Sequence, residues 1–569
     1  MPPPFGARQR PWDSAVSAPL PPGVFTPWEE WAWARIIRGD WANMSEYPGD
    51  AFPVGSEEWL KGRDDGGGYD LAQAANWPAH RSLSARFLRT ILFHEPWASA
   101  RDLPWLRIFL ARFPEELDWS NAEIGGEINL QRCCFAERVN WIGLRADFVV
   151  LTGSRFEKPL LMDSMKLQRN LVCDGLYAMN EVRMIDAGAL GTMNFGGAVL
   201  DGALRAEGLT TGGGIFFNEN FHAKGEVRLI GGKIGGSLDC KGATFDSFLQ
   251  ADRLIVEGDF FLRDMVRLGA VMLPGARLAQ DLYLSGSTTN GVINLTGAVI
   301  GGELNLGTTA GREPKWGTDA RLILRNAKIG ALAGGLAAFR RGRKNDYLAC
   351  ELTGFSFERL GGLGAADAGS TLAGAAGNDL RAWLRTCRPK DHFDPGPYRA
   401  LAKGLREAGR ADRAADVLNA LGNYELVARG TPLLKRLLML PLSWLLIGYG
   451  QRNHRAFMWF VALILGAAVV GFSAQIAYGP PPAGGWADKQ AWFSWLGFSL
   501  GDAIPVVTLD KAHETFLVDH FCAAEKAGVC AEPAVPQGLT AFFYAVKILG
   551  FIILSYLAAG LSGLAQQKE

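Results

Sequence analysis

The residues best placed to do chemistry lie towards the C-terminal end. Lys547 interrupts an otherwise uncharged apolar stretch at 539–564. An ionisable side chain within such a stretch is a functional candidate, because its charge is costly to hold in hydrocarbon. It stands about nine residues in, ~13 Å at 1.5 Å per residue. Upstream, 492–510 reads WFSWLGFSLGDAIPVVTLD and carries Asp502, Pro505 and Asp510. That segment is apolar for a loop, too short to span, and broken by its proline. It reads as a re-entrant or packed element, because irregular backbone at membrane depth survives only when buried in protein or lining water. Lys547, Asp502, Asp510 and Pro505 therefore form the candidate membrane polar site, with either aspartate as the partner of the lysine. The alternative is that Lys547 snorkels outward on its long stem.

Other candidates are weaker. His513, Glu514, Asp519 and His520 read as a solvated loop face rather than a metal site. There are eight Cys, with no CxxC and no zinc-ligand spacing. Cys522 and Cys530 form the candidate disulfide, closing a short loop; the other six read as small core residues or inert thiols. No Walker A, HExxH or GxSxG motif occurs, and no GxGxxG opens a helix. Accordingly no catalytic residue, metal ligand or cofactor is expected.

The elements that must position these groups include two membrane spans. Residues 456–478 form an uncharged run of 23, and 539–564 is long enough as well. Lys435, Arg436, Arg452 and Arg455 precede the first span, whereas 479–538 holds three basic and seven acidic residues. The bias puts the N-terminal side in the cytoplasm and 479–538 in the periplasm, with the C-terminus returning inside. An interfacial helix is expected at 433–450. The N-terminus lacks an apolar h-region, so no signal peptide is expected. The 58 Lys+Arg balance 58 Asp+Glu, which excludes the basic footprint of a nucleic-acid partner. Disorder is excluded too, with 48% hydrophobic and 20% charged residues.

The middle of the chain repeats. IGGEINL begins at Ile124, IGGSLDC at Ile234 and IGGELNL at Ile300, offsets of 110 and 66 that are both multiples of 22. Units of roughly 11 residues can be cut between them, each with a φ-x-φ pair of strand period and a small residue at the turn. Two units per coil give ~22 residues and four short faces, a parallel quadrilateral β-helix of pentapeptide-repeat type. About eight coils fit 124–309, at ~4.8 Å each. Ile124, Ile128, Leu130, Ile234, Leu238, Cys240, Ile300, Leu304 and Leu306 should point inward. Over 124–309 there are 20 acidic and 17 basic residues, too balanced for a DNA mimic.

The fold class is thus mainly β, with helical caps. Ten of eighteen Trp lie in the first 119 residues, which marks 1–120 as a mostly helical cap on the first coil. Thr26-Pro27-Trp28-Glu29 reads as a capping box with Pro at the first helical position, and a second helix is expected at 82–94. The β-helix is assigned 121–365, a tetratricopeptide-like helical pair 371–430, broken at Gly409, and the membrane domain 431–569.

Taken together, the chain resembles bacterial membrane proteins with a cytoplasmic pentapeptide-like β-helix. The resemblance rests on PGPYRALAKGLREAGRADRAADVL at 395–418, IGYGQRNHRAFMWF at 447–460, FSLGDAIPVVTLD at 498–510, the final span, and HRSLSARFLRTILF at 80–93. It implies a right-handed coil and a two-span hairpin in the bacterial inner membrane. Such proteins are often labelled membrane-associated oxidoreductases, but the resemblance carries no catalytic residues across. The expected function is a membrane-anchored scaffold or sensor presenting its β-helix to a protein partner or to copies of itself. The alternatives are an oligomeric channel or transporter built around 492–510 and, more remotely, an oxidoreductase.

Overall fold

The computed structural model describes residues 18–21, 23–48, 71–308, 311–342, 346–362, 371–389, 391–428, 453–478, 489–504, 525–526, 529–530 and 537–561. It contains a parallel β-solenoid of about nine turns and a set of C-terminal helices, one of them strongly apolar. Two compact units divide the chain: 1–390 with 399–410, and 391–398 with 411–569.

Each regular turn of the solenoid contributes four two-residue strands, stacked on their counterparts one turn away. In chain order, one turn runs Lys166–Leu167, Leu171–Val172, Tyr177–Ala178 and Val182–Arg183. We call the four stacks ladders I to IV. Val182 pairs with Leu160 on one side and Leu204 on the other, one full coil each way.

The turns explain the shorter period. Left-handed backbone recurs once per repeat unit at Gly153, Ser164, Gly175, Asp186, Gly197 and Gly208, and again from Gly231 through Gly242, Arg253, Asp264, Gly275 and Gly286 to Gly297. Each unit therefore holds two strands and one corner that glycine enters without steric penalty. The phase slips once. Glu219 and Asn220 both take positive φ, and Leu200 pairs with Ala223, so that this turn is one position longer than its neighbours.

All nine residues expected to point inward are buried. Aromatic rings stack along the interior in step with the rungs. Phe135 lies 4.4 Å from Phe156 at 4° between planes, and Trp119 lies 5.0 Å from Trp141 at 6°. Leu, Ile, Val and Phe fill the rest, each worth about 1.5–3 kcal/mol when fully buried.

The solenoid begins earlier than residue 121. Trp105–Phe109 already pairs in parallel with Glu123–Gln131. The Trp-rich composition hid this strand, whose inward residues are Leu106 and Ile108. The end is covered as expected. α1 (Pro27–Ile36) carries the Thr26–Glu29 capping box, and α2 (Ala85–Phe93) is capped by Ser84. Glu29 ties them together, accepting from Thr26 N (2.9 Å) with one oxygen and from Ser84 N (2.9 Å) with the other. Ala42–Asn43 adds a strand to Trp105–Phe109, and Ser82 bridges Arg112, so two of the first strands are paired on their outer side.

The rungs continue past 310 as Arg321–Ile323, Lys328–Ala333, Cys350–Glu351 and Ser356–Leu360. α3 (Gly377–Thr386) then packs Trp383 against Phe339. α4 (Gly396–Glu407) sets Gly404 against Phe357 and Leu360 of the last rung. Gly409 at φ +74° turns the chain, as expected, into α5 (Ala411–Ala428).

In the second unit, α6 (Asn453–Tyr478) contains 22 residues, Phe457–Tyr478, long and apolar enough to cross a membrane. α8 (Gln537–Leu561) has a shorter apolar stretch, Ala541–Ser555. Between them in sequence lies α7 (Lys489–Ala503), a helix of 15 residues. All three pack on one another. The interfacial helix expected at 433–450 lies outside the described residues.

Candidate functional site

The polar groups of the C-terminal helices centre on α7. Its inner face carries Trp495, Phe498, Ser499, Asp502 and Ala503, all buried. Trp495 and Phe498 pack with Ala467 and Ala468 of α6 and with Phe543 and Val546 of α8. Trp495 Nε1 donates to Gln475 Oε1 at 2.6 Å, so the buried indole N–H is satisfied across two helices. Two glycines permit the approach. A Cβ on Gly471 would fall 2.3 Å from the Trp495 ring, and one on Gly550 would fall 2.5 Å from Ala503 O.

This arrangement places apart one of the two pairs that the sequence allows for Lys547. Asp502 is buried on the inner face of α7, whereas Lys547 is exposed on α8 and forms no ion pair with Asp502. Phe543, Val546, Gly550 and Ile553 turn inward and leave Lys547 outside. Pro505, Asp510 and Cys522 lie outside the described residues. Cys530 ends the strand Val529–Cys530, which pairs antiparallel with Glu525–Lys526. An open apolar cleft lies beside the helices, lined by Val470, Ala474, Tyr478, Gly538, Leu539 and Phe542.

The solenoid carries most of the described ion pairs, and they run along its ladders. On ladder III, Tyr177 donates to Asp201 at 2.6 Å, and Lys224 meets the same carboxylate at 2.7 Å. One rung on, His222 Nε2 lies 2.7 Å from Asp246, which Arg267 also approaches at 3.4 Å. The His222 hydrogen bond holds Asp246 below the ordinary carboxylate range. The hydrogen bond to Asp201 pushes the Tyr177 phenol up. On ladder IV, Arg183, Arg205 and Arg228 occupy successive rungs and meet Asp163 (2.6 Å), Glu207 (3.4 Å) and Glu207 again (3.2 Å). Sequence reading missed these chains. Their signal is the recurrence of arginine once per coil.

The six thiols at 133, 134, 173, 240, 350 and 387 are free and buried, as expected of core residues. Burial pushes Cys133 and Cys134 up to about 12, and Cys173 and Cys240 upward as well. Cys350 stands on a late rung, its thiol donating to Leu348 O at 3.6 Å, and Cys387 stands at the end of α3 beside Thr386 Oγ1 at 3.9 Å. Burial pushes the Cys350 thiol well up; at Cys387 burial also raises, but its polar neighbours at Cys350 and Thr386 outweigh it and hold that thiol lower. Among the described residues no group of three or more His, Cys, Asp or Glu is arranged to hold a metal.

No family model, curated protein or solved structure matches this chain.

Proposed function

We propose that this chain is a membrane-anchored, non-enzymatic scaffold or sensor that presents its solenoid to protein partners in the bacterial cytoplasm. The observation that carries the reading is the solenoid itself, about nine turns of hydrogen-bonded rungs with charges ordered by ladder. Such a surface offers side chains at a fixed ~4.8 Å spacing on a stiff support. The apolar helix α6 supports the anchor. In this reading the solenoid is a right-handed, four-sided coil of pentapeptide-repeat type. α6 and α8 form a two-span hairpin, both termini are cytoplasmic, and 479–538 faces the periplasm.

A second reading, an oligomeric channel or transporter, is favoured by one feature. α7 carries Ser499 and Asp502 buried within the apolar helical packing, and intramembrane acidic groups mark ion pathways. Reconstitution into planar bilayers, with oligomeric state measured in detergent, tests the two. The scaffold reading expects no conductance. Conductance abolished by Asp502→Asn, together with a defined oligomer, would replace it with the channel.

A further inference from the structure

Ladder I differs electrostatically from its neighbours. Its outward column begins at Glu123 and then reads Arg145, Lys166, Gly188, Thr210, Lys233, Ile255, Arg277, Val299 and Lys328 on consecutive rungs, ending at Ser356. All five cations are exposed. Among the described residues none has a carboxylate within ion-pairing distance, and Lys166 reaches only the backbone carbonyl of Asp186 at 2.8 Å. Ladders III and IV, by contrast, hold Lys224, Arg267, Arg183, Arg205 and Arg228 in ion pairs, with Lys315 and Arg321 near the far end left outside them.

The column also alternates. Lys233, Ile255, Arg277, Val299 and Lys328 place a cation on every second rung, with an aliphatic side chain between. Val299 is 43% exposed. Beside the column runs a strip of small residues, Gly235, Ala279, Gly301 and Gly330. Three are glycine for a structural reason. A Cβ at Gly235, Gly301 or Gly330 would fall 2.4–2.5 Å from a carbonyl oxygen of the preceding turn. The result is a flat track next to the charged column. The acidic groups that face it are Glu257, exposed in the same strip, Asp252 at the preceding corner, and Glu123 at the far end of the column beside Arg145, away from the alternating stretch.

We infer that ladder I is the docking face for an acidic amphipathic α-helix of a protein partner, laid along the solenoid axis. The inference rests on the scaffold reading and names its face and ligand chemistry. The argument is one of register. Cations on alternate rungs stand ~9.6 Å apart, twice the ~4.8 Å strand spacing. Residues seven apart on a helix stand ~10.5 Å apart, and those three or four apart ~4.5–6 Å. A helix with Glu or Asp at the first position of each heptad and an aliphatic residue at the fourth meets Lys233, Ile255, Arg277, Val299 and Lys328 in turn. Over four rungs the mismatch grows to only ~2 Å, within reach of Lys and Arg side chains. An extended strand repeats on one face at ~6.8 Å and loses step by the second rung. Nucleic acid fits poorly, since a strand offers a phosphate every ~3.4 Å to a sparse column. Glu257 adds specificity by favouring a basic residue on the flank of the incoming helix.

The test uses the full chain in detergent micelles and a fluorescein-labelled synthetic helix of three heptads. The probe has Glu at the first and Leu at the fourth position of each heptad, with Ala and Gln elsewhere. Anisotropy should report salt-sensitive binding, about tenfold weaker for a peptide of the same composition with Glu and Leu scrambled. The variant Lys233→Glu/Arg277→Glu/Lys328→Glu should lose about tenfold or more, three exposed pairs together. The ladder III variant Lys224→Glu/Arg267→Glu/Lys315→Glu matches its charge change and should keep wild-type binding. Circular dichroism of each variant verifies folding. Equal binding of ordered and scrambled probes overturns the inference, as does undiminished binding by the ladder I variant. Retention by anionic-lipid nanodiscs but not by the probe, lost in the ladder I variant, overturns it in favour of a lipid surface. A partner held through ladder III or IV refutes this docking face and leaves the scaffold intact, whereas conductance refutes the scaffold whatever the probe does.

Discussion

Gly225 offers a decisive test of what fixes the corners of the solenoid. It has no positive φ, so backbone preference alone gives no reason for glycine there. Its surroundings do. A Cβ would lie 2.4 Å from Gly202 O, 2.5 Å from Gly202 C and 2.8 Å from Ala203 N, all backbone of the preceding turn. Ordinary contact begins at 3.4 Å, so Gly225→Ala must lift the corner by about 1 Å. Two hydrogen bonds flank it, Leu204 N to Glu226 O and Lys224 N to Leu200 O, both 2.9 Å. Stretched by about 1 Å, both leave hydrogen-bonding range. Losing them costs about 3 kcal/mol at ~1–3 kcal/mol per unsatisfied buried group. Gly231 is the matched control. Its φ is +67°, yet nothing lies within 4 Å of its would-be Cβ. Gly231→Ala should cost only the left-handed penalty of about 1 kcal/mol. Hydrogen exchange read by mass spectrometry on the full chain in detergent measures both. Gly225→Ala should speed exchange about 150-fold in 200–207 and 222–228, and Gly231→Ala about fivefold in its own corner. Backbone preference predicts the reverse order. Equal effects, or a larger one at Gly231, would refute the claim that turn stacking selects glycine at 225.

Further predictions concern the cap, a ladder pair, the helices and the thiols. Glu29→Ala orphans Thr26 and Ser84 amides together and should lower cap stability by about 2–3 kcal/mol, seen as faster exchange in 26–36 and 84–93 with rungs beyond 143 unchanged. Asp246 is held down in the fold, so its contribution is present above the unfolded value of about 3.9 and fades as pH falls through the folded one. His222→Ala should therefore move the onset of acid destabilisation to higher pH; an unmoved acid-unfolding curve would count against the pair. Gly471→Leu collides with the Trp495 ring and should cost about 1–3 kcal/mol, read as a red-shifted, quencher-accessible tryptophan signal in micelles. Native alkylation at pH 8 should spare Cys133, Cys134, Cys173 and Cys240, whose buried thiols carry little thiolate, until the solenoid unfolds.

Much of the fold was legible because its causes are local. A left-handed corner in every repeat unit calls for Gly, Asn, Asp or Ser, and an inward position calls for an aliphatic side chain; both leave a period in the sequence. The Thr26–Glu29 box and the Gly409 break are local as well, and both stand where expected. α7 was harder to read. Its sequence carries no clean apolar stripe, and Pro505 ends it, so it reads only as a half-helix leading into an extended stretch rather than as a helix of 15 residues packed on two others. The burial of Asp502 and exposure of Lys547 depend on how three helices rotate against one another, which spacing along one helix does not encode. The ladder ion pairs join residues a whole coil apart in sequence, and become visible only once the turns are stacked.

The stacking has a mechanical consequence. Every ladder hydrogen bond points from one turn to the next, so tension along the stacking direction loads the rungs in series and a terminal turn can peel away alone. A load across that direction must shear several bonds in each of four ladders at once. The solenoid is therefore a stiff strut against sideways load and a zipper against axial pull. Glu29 at one end, and the packing of Trp383 on Phe339 at the other, act as the stops that keep the zipper from starting.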